Sequence, residues 1–156
     1  MTQGSGTIGD RAIEIARAWI GTPYVHQASV KDAGTDCLGL LRGVWRDLYG
    51  CEPESVPPYT PDWAEPSREE RLWSAARRHL IPLSETIGSA PVTVGEVLLF
   101  RLRDGAVAKH LGISAVSASG LSFVHAYTGH GVIESPLSTP WRRRIVARFA
   151  FPEGAN

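Results

Sequence analysis

Around Pro91 the patterning of the chain changes: before it apolar side chains recur at helical spacing, and after it they gather in short extended runs. That order constrains the fold more than any single motif. Helices first and consecutive short strands afterwards give an α+β chain with an antiparallel meander, because short connections join neighbouring strands and leave no room for βαβ crossovers. The runs at 95–102, 111–116, 121–126, 132–134 and 145–151 are rich in Val, Ile, Leu and Phe and are separated by Gly, Ser or Pro, so five strands are expected there.

Three helices are expected upstream. The first covers 10–20, with Ala12, Ile15, Ala16, Trp19 and Ile20 on one face, and Gly21-Thr22-Pro23 stops it. The second starts at Thr35 or Asp36, either of which can cap, and runs to Tyr49 with Leu40, Leu41, Val44, Trp45 and Leu48 at helical spacing. Gly50 is the expected residue just past its end. Residues 51–66 hold five of the eleven prolines and form a stiff surface loop. Ser67-Arg68-Glu69-Glu70 then supplies a capping box for a third helix to about Leu80. The sheet is expected to pack on the second helix, with Gly39 and Gly43 letting it approach.

With 156 residues, 43% of them hydrophobic, the chain suits one domain. Its expected limits are 10–152, with a flexible start at 1–9 and a tail at 153–156. Sixteen basic and sixteen acidic residues cancel, which argues against binding nucleic acid or anionic membranes through bulk charge. The neutrality hides an uneven distribution: residues 51–90 carry four basic and seven acidic side chains, and residues 91–156 seven and four. Arg142-Arg143-Arg144 is either a solvated surface or a patch for an acidic partner or a carboxylate. No run reaches the roughly 18 apolar residues of a membrane span, and residues 1–10 lack the basic and apolar regions of a secretory signal.

Two cysteines, outside any CxxC pair, exclude a disulfide scaffold and a Cys-rich zinc module. Cys37 falls in the first turn of the second helix, where unpaired N–H groups and the helix dipole favour thiolate. The opposing reading is a small buried hydrophobe, which is also the reading for Cys51. A nucleophilic thiol needs a base and an orienting group. His110 opens the strand His110-Leu111-Gly112-Ile113-Ser114 and shares a face with Gly112 and Ser114; His125 ends Leu121-Ser122-Phe123-Val124-His125 on the adjacent strand. Each histidine is also compatible with a structural role. His26 follows Pro23-Tyr24-Val25 and can line a cleft, His79 is expected on a helix surface and His130 in a turn. A zinc site from Cys37, His110, His125 and His130 is disfavoured by the lack of close ligand spacing.

Ala18-Trp19-Ile20-Gly21-Thr22-Pro23-Tyr24, Thr35-Asp36-Cys37-Leu38-Gly39-Leu40, Gly95-Glu96-Val97-Leu98-Leu99-Phe100, His110-Leu111-Gly112-Ile113 and Phe123-Val124-His125-Ala126 together resemble the NlpC/P60 cysteine peptidases. The likeness is nearest to the phage-tail and gene-transfer-agent branch. There His26-Gln27-Ala28-Ser29, the Pro-rich loop with Tyr59 and Trp63, residues 127–134 and Trp141-Arg142-Arg143-Arg144 are also similar. The resemblance implies a papain-like α+β fold and hydrolysis of peptidoglycan stem peptides between γ-D-glutamate and a diamino acid, without metal or organic cofactor. It implies Cys37 as nucleophile, His110 as general base and acid, and His125 as orienting member. Tyr24 lies near the nucleophile by the same correspondence, and Asp36 and His26 fall at the substrate cleft. His26-Gln27-Ala28 and Leu38 depart from the common pattern at cleft positions, which bears on the stem peptide accepted. The branch further implies a protein made in the cytoplasm without a signal peptide. It would be built into a phage-like tail tip on a hub or baseplate protein and applied to the wall. The rival expectations are an inactive tail component of the same fold and an amidase or acyltransferase of related fold.

Overall fold

In a computed structural model the chain is described for residues 6–54, 70–84, 91–103 and 105–153. Residues 67–69 of the expected capping box, most of the loop at 51–66 with Tyr59 and Trp63, and the ends of both termini lie outside the described residues. Glu70, the last member of that box, instead stands just before the third helix with no side-chain cap bond, its carboxylate accepting from Arg101 Nη2 and the Ala108 N–H. The first helix, α1, is Ile8–Ala18. It starts two residues earlier than the periodicity suggests because Thr7 caps it, with Thr7 and Asp10 exchanging backbone and side-chain bonds in a capping box. It buries Ala12, Ile13 and Ala16, followed by Trp19, whereas Ile20 lies past its end and is exposed.

Two short strands, β1 (Ser29–Val30) and β2 (Gly34–Thr35), form a small hairpin that the sequence reading did not include. Helix α2, Cys37–Tyr49, begins and ends as expected, with Asp36 as its N-cap and Gly50 in the left-handed conformation after it. Leu40 and Val44 are fully buried, worth about 1.5–3 kcal/mol each relative to exposure. Helix α3 is Arg71–His79.

The main sheet contains β3 (Ile81–Ser84), β4 (Val97–Phe100), β5 (His110–Ser117), β6 (Gly120–Tyr127), β7 (Gly131–Pro136) and β8 (Ile145–Ala150), all pairs antiparallel. Among the described residues its order is β3-β8-β4-β5-β6-β7. Only β4 to β7 are a meander, since β8 returns to lie between β3 and β4. Strand β3 was missed because Pro82 interrupts its apolar run, and Pro is tolerated there because β3 lies at the end of the strand order. A one-turn helix, α4 (Thr139–Arg142), precedes β8.

The sheet separates two apolar layers. Val97, Leu99, Leu111, Ile113, Val124 and Ala126 face α1 and α2, joining Ala12, Trp19, Leu40 and Val44 in one core. On the opposite face Leu98, Phe100, Phe123, Leu137 and Ile145 form a smaller cluster, with Trp141 packed against it. Gly39 and Gly43 are not the places where the sheet approaches α2. A Cβ at Gly43 would lie 2.2 Å from the Trp19 ring, and one at Gly39 would lie 1.9 Å from the Ala28 carbonyl oxygen. The two glycines admit the α1 indole and the segment leading into β1.

Candidate active site

The N-terminus of α2 is held by its cap. Asp36 Oδ1 accepts from the Gly39 N–H at 2.8 Å, and Oδ2 accepts from the Gln27 N–H at 2.8 Å. Gln27 reaches that oxygen in a left-handed conformation, φ 68°, which a non-glycine residue rarely adopts. Asp36 is 2% exposed. Asp36 therefore does not open onto a cleft: both oxygens are engaged in fastening the 24–28 segment to the helix start. Tyr24 and Thr35 form a parallel bridge beside it. His26 is half-buried beside the cap, its Nδ1 3.8 Å from Asp36 Oδ2 and its Nε2 3.3 Å from Gln27 Nε2.

Cys37, the first residue of α2, is partly buried, and its Sγ donates to the carbonyl oxygen of Lys109 at 3.6 Å. The thiol thus meets the backbone immediately before β5. Strand β5 pairs with β4 from Phe100↔His110 onward, but its pairing with β6 begins only at Ile113↔Val124. Burial first, and then the Asp36 charge, push the thiol up to about 12, against the pull of the Leu111, Leu38 and Cys37 backbone amides. This corrects the expectation that the helix start would favour thiolate: desolvation and the capping carboxylate outweigh the amides.

His110 and His125 point to the face of the sheet opposite α2. His110 Nε2 lies 2.8 Å from His125 Nδ1, and both side chains are buried. Gly112, between the two histidines in space, leaves room for this: a Cβ there would lie 2.8 Å from the Phe123 ring and 3.1 Å from His125 Cβ. Burial, then His125, lowers the His110 pKa to about 3; burial, then His130, lowers that of His125 to about 4. Both rings are neutral at pH 7. No hydrogen bond joins Cys37 to His110 among the described residues, so the resting site holds a protonated thiol and an uncharged imidazole pair.

Four further residues complete the surroundings. Ser135 Oγ lies 2.9 Å from His125 Nε2. The Trp141 ring is 5.8 Å from His110 and 5.3 Å from His125, so α4 lays an indole over the pair. Burial raises the pKa of Tyr24, with smaller contributions from the neighbouring Cys37 and Asp36 groups and against a hydrogen bond with Thr128. His130 is exposed and stacks on Tyr127 at 5.4 Å. The short helix, not expected from the sequence, had a signal in Ser138-Thr139-Pro140, with proline in its first turn although Ser138 makes no side-chain cap bond; Ser135 had none, because it needs the β6–β7 register.

The remaining residues considered lie apart. Cys51 is exposed, not a buried hydrophobe. His79 contacts Glu54 at 2.5 Å on α3. Among the described residues no three His, Cys, Asp or Glu side chains gather as a metal site, and no helix is long and apolar enough to cross a membrane. Arg142, Arg143 and Arg144 are exposed, with Arg144 5.7 Å over the Trp141 ring.

No family model matches the chain, and no curated protein matches it. Solved structures do. The NlpC/P60 domain of the peptidoglycan hydrolase SagA is 19% identical, with a TM-score of 0.59 over 92% of this chain and 98% of that domain. NlpC1 from Trichomonas vaginalis is 18% identical with a TM-score of 0.62, and the match covers 97% of this chain but 46% of that protein. An N-acetylmuramoyl-L-alanine amidase from Bacteroides uniformis is 12% identical with a TM-score of 0.57, over 92% of this chain and 98% of the amidase. The α+β architecture is therefore that of the NlpC/P60 domains.

Proposed function

We propose that this chain is a cysteine peptidase acting on peptidoglycan, cleaving the stem-peptide amide bond between γ-D-glutamate and a diamino acid. The observation that carries the reading is the meeting of three elements: Cys37 at the start of α2 bonds to the residue before His110, and His110 bonds to His125 at 2.8 Å. The similarity to a peptidoglycan hydrolase domain and to an amidase supports the choice of wall substrate.

In this reading the neutral His110 takes the Cys37 proton as sulfur attacks the amide carbonyl, which requires the thiol to turn away from Lys109. The backbone N–H groups at the start of α2, with the Tyr24 hydroxyl, stabilise the oxyanion. His110 returns the proton to the leaving amine, and a thioester remains on Cys37. Water, activated by His110, then releases the acid and restores the thiol. His125 orients His110 throughout, and His26 lies at the cleft rim. No metal or organic cofactor takes part.

We further propose that the protein works as a component of a phage-like tail tip, seated on a hub or baseplate protein. The basis is the branch of the family that its motifs resemble. In that setting it is made in the cytoplasm and meets the cell wall as the tail penetrates.

Digestion of isolated peptidoglycan by the wild type and by Cys37→Ala, read by mass spectrometry, tests the reaction. Wild type should release fragments cut at the γ-D-glutamyl bond and Cys37→Ala none. The second reading, favoured by the amidase neighbour, places the cut between muramic acid and L-alanine, and the fragment masses separate the two. Intact sacculi after wild-type treatment would support a scaffold that keeps the fold without the activity.

A further inference from the structure

His125 is wholly buried, so both of its ring nitrogens need partners inside the protein. The rings of Phe123, Tyr127 and Trp141 stand 4.1, 5.3 and 5.3 Å from its own. Its Nδ1 meets His110 Nε2 at 2.8 Å, and its Nε2 meets Ser135 Oγ at 2.9 Å. Ser135 is two residues along β7 from Ile133, the register partner of His125, which places it diagonally across on the same face.

The three groups form one hydrogen-bonded line, and two proton arrangements satisfy it with neutral rings. In the first, both rings carry hydrogen on Nε2: His110 donates to His125, and His125 donates to Ser135 Oγ. In the second, both carry it on Nδ1, and the serine hydroxyl donates to His125. Only the first leaves the His110 Nδ1 lone pair open to receive a proton.

We propose that Ser135 is a positioning residue that accepts from His125 and thereby sets His110 in the tautomer able to act as a base. Ser135 is partly exposed, so its own hydroxyl hydrogen can be given to water while its oxygen accepts from within. Without the hydroxyl, the first arrangement strands a buried N–H, whereas the second strands only a lone pair. Orphaned donors are the rarer of the two in folded proteins. Loss of Ser135 therefore tips the pair toward Nδ1–H, with His110 wrongly protonated for catalysis. The catalytic consequence rests on the proposed peptidase reading, while the tautomers themselves do not.

The test is long-range ¹H–¹⁵N correlation of ¹⁵N-histidine-labelled protein without substrate, for wild type, Ser135→Ala and Ser135→Thr. Muropeptide kinetics are run on the same samples. Wild type and Ser135→Thr should show His110 and His125 as Nε2–H tautomers, and Ser135→Ala should move both toward Nδ1–H. The turnover number of Ser135→Ala should fall about 10-fold or more with little change in KM, part of the roughly 10²–10⁴ that a placed base contributes, and Ser135→Thr should restore it. Nδ1–H rings in wild type, or unchanged tautomers in Ser135→Ala, would overturn the proposal. If Ser135→Ala loses its fold, the wild-type and Ser135→Thr tautomers still decide. Wild type with the expected tautomers but no cleavage of muropeptides refutes the peptidase reading and leaves the Ser135 assignment standing.

Discussion

The Cys37 thiol is hydrogen-bonded at 3.6 Å to the Lys109 carbonyl, the residue before His110, and not to the imidazole of His110. With burial and Asp36 pushing the thiol up to about 12, the free protein holds its nucleophile protonated. In a Cys51→Ser background, which leaves Cys37 as the sole thiol, alkylation by iodoacetamide at pH 7 should be far slower than for a free cysteine. The rate should keep rising above the ordinary thiol pKa of about 8.5 instead of levelling there. A plateau near that value means that the helix amides, not burial, govern the thiol.

The buried histidine pair makes the protein acid-sensitive. Both pKa values are depressed, to about 3 and about 4, while an unfolded histidine titrates near 6.5. The unfolded state thus binds more protons across this window. The contribution to stability is complete above about 6.5 and is lost as pH falls toward the folded values, at up to about 1.4 kcal/mol per pH unit for each ring. Urea melts from pH 8 to pH 4 should show this slope, and His125→Gln should flatten it. An equal slope in His125→Gln would mean that other groups control the acid limb.

What the sequence made legible is what local rules determine. The Asp36 cap, the span of α2 and the Gly50 stop follow from capping and periodicity. The face shared by His110 and Gly112 follows from the two-residue repeat of a strand. What stayed hidden depends on pairing across the chain. The insertion of β8 between β3 and β4 has no local signal, and Ser135 meets His125 only through the β6–β7 register. The thiol pKa was misjudged because the helix start is visible in sequence, whereas the burial around it is not.

The glycines of α2 give a packing test. A methyl group at Gly43 would collide with the Trp19 ring, and one at Gly39 with the Ala28 carbonyl. Overpacking of this kind costs about 1–3 kcal/mol, against a helix-propensity gain of about 1 kcal/mol for Gly→Ala. Gly43→Ala and Gly39→Ala should both lower the urea midpoint. Gly39→Ala should also reduce turnover, because it displaces the segment that Asp36 fastens beside Cys37. Stabilisation by either substitution would show that these contacts are looser than the structure has them.

On the face away from α2, Arg148 and Glu96 form a buried pair that ties β8 to the start of β4. Arg148 Nε and Nη2 donate to the two Glu96 oxygens at 2.7 and 2.9 Å, and Nη2 also donates to the Pro91 carbonyl at 2.9 Å. The Thr93 N–H and hydroxyl complete Glu96 Oε2, each at 2.9 Å. The side chains of Arg148 and Glu96 are only 8% and 4% exposed, so removing either leaves the other's charge buried without its counter-ion, held only by neutral hydrogen-bond partners. Arg148→Met should cost about 3–5 kcal/mol in urea unfolding, whereas replacing both by apolar residues of similar volume should cost much less than the two single changes together. The coupling energy of the Arg148→Met, Glu96→Met cycle measures the effect. Additive single and double values would mean that the pair is solvated and that the anchor of β8 lies elsewhere.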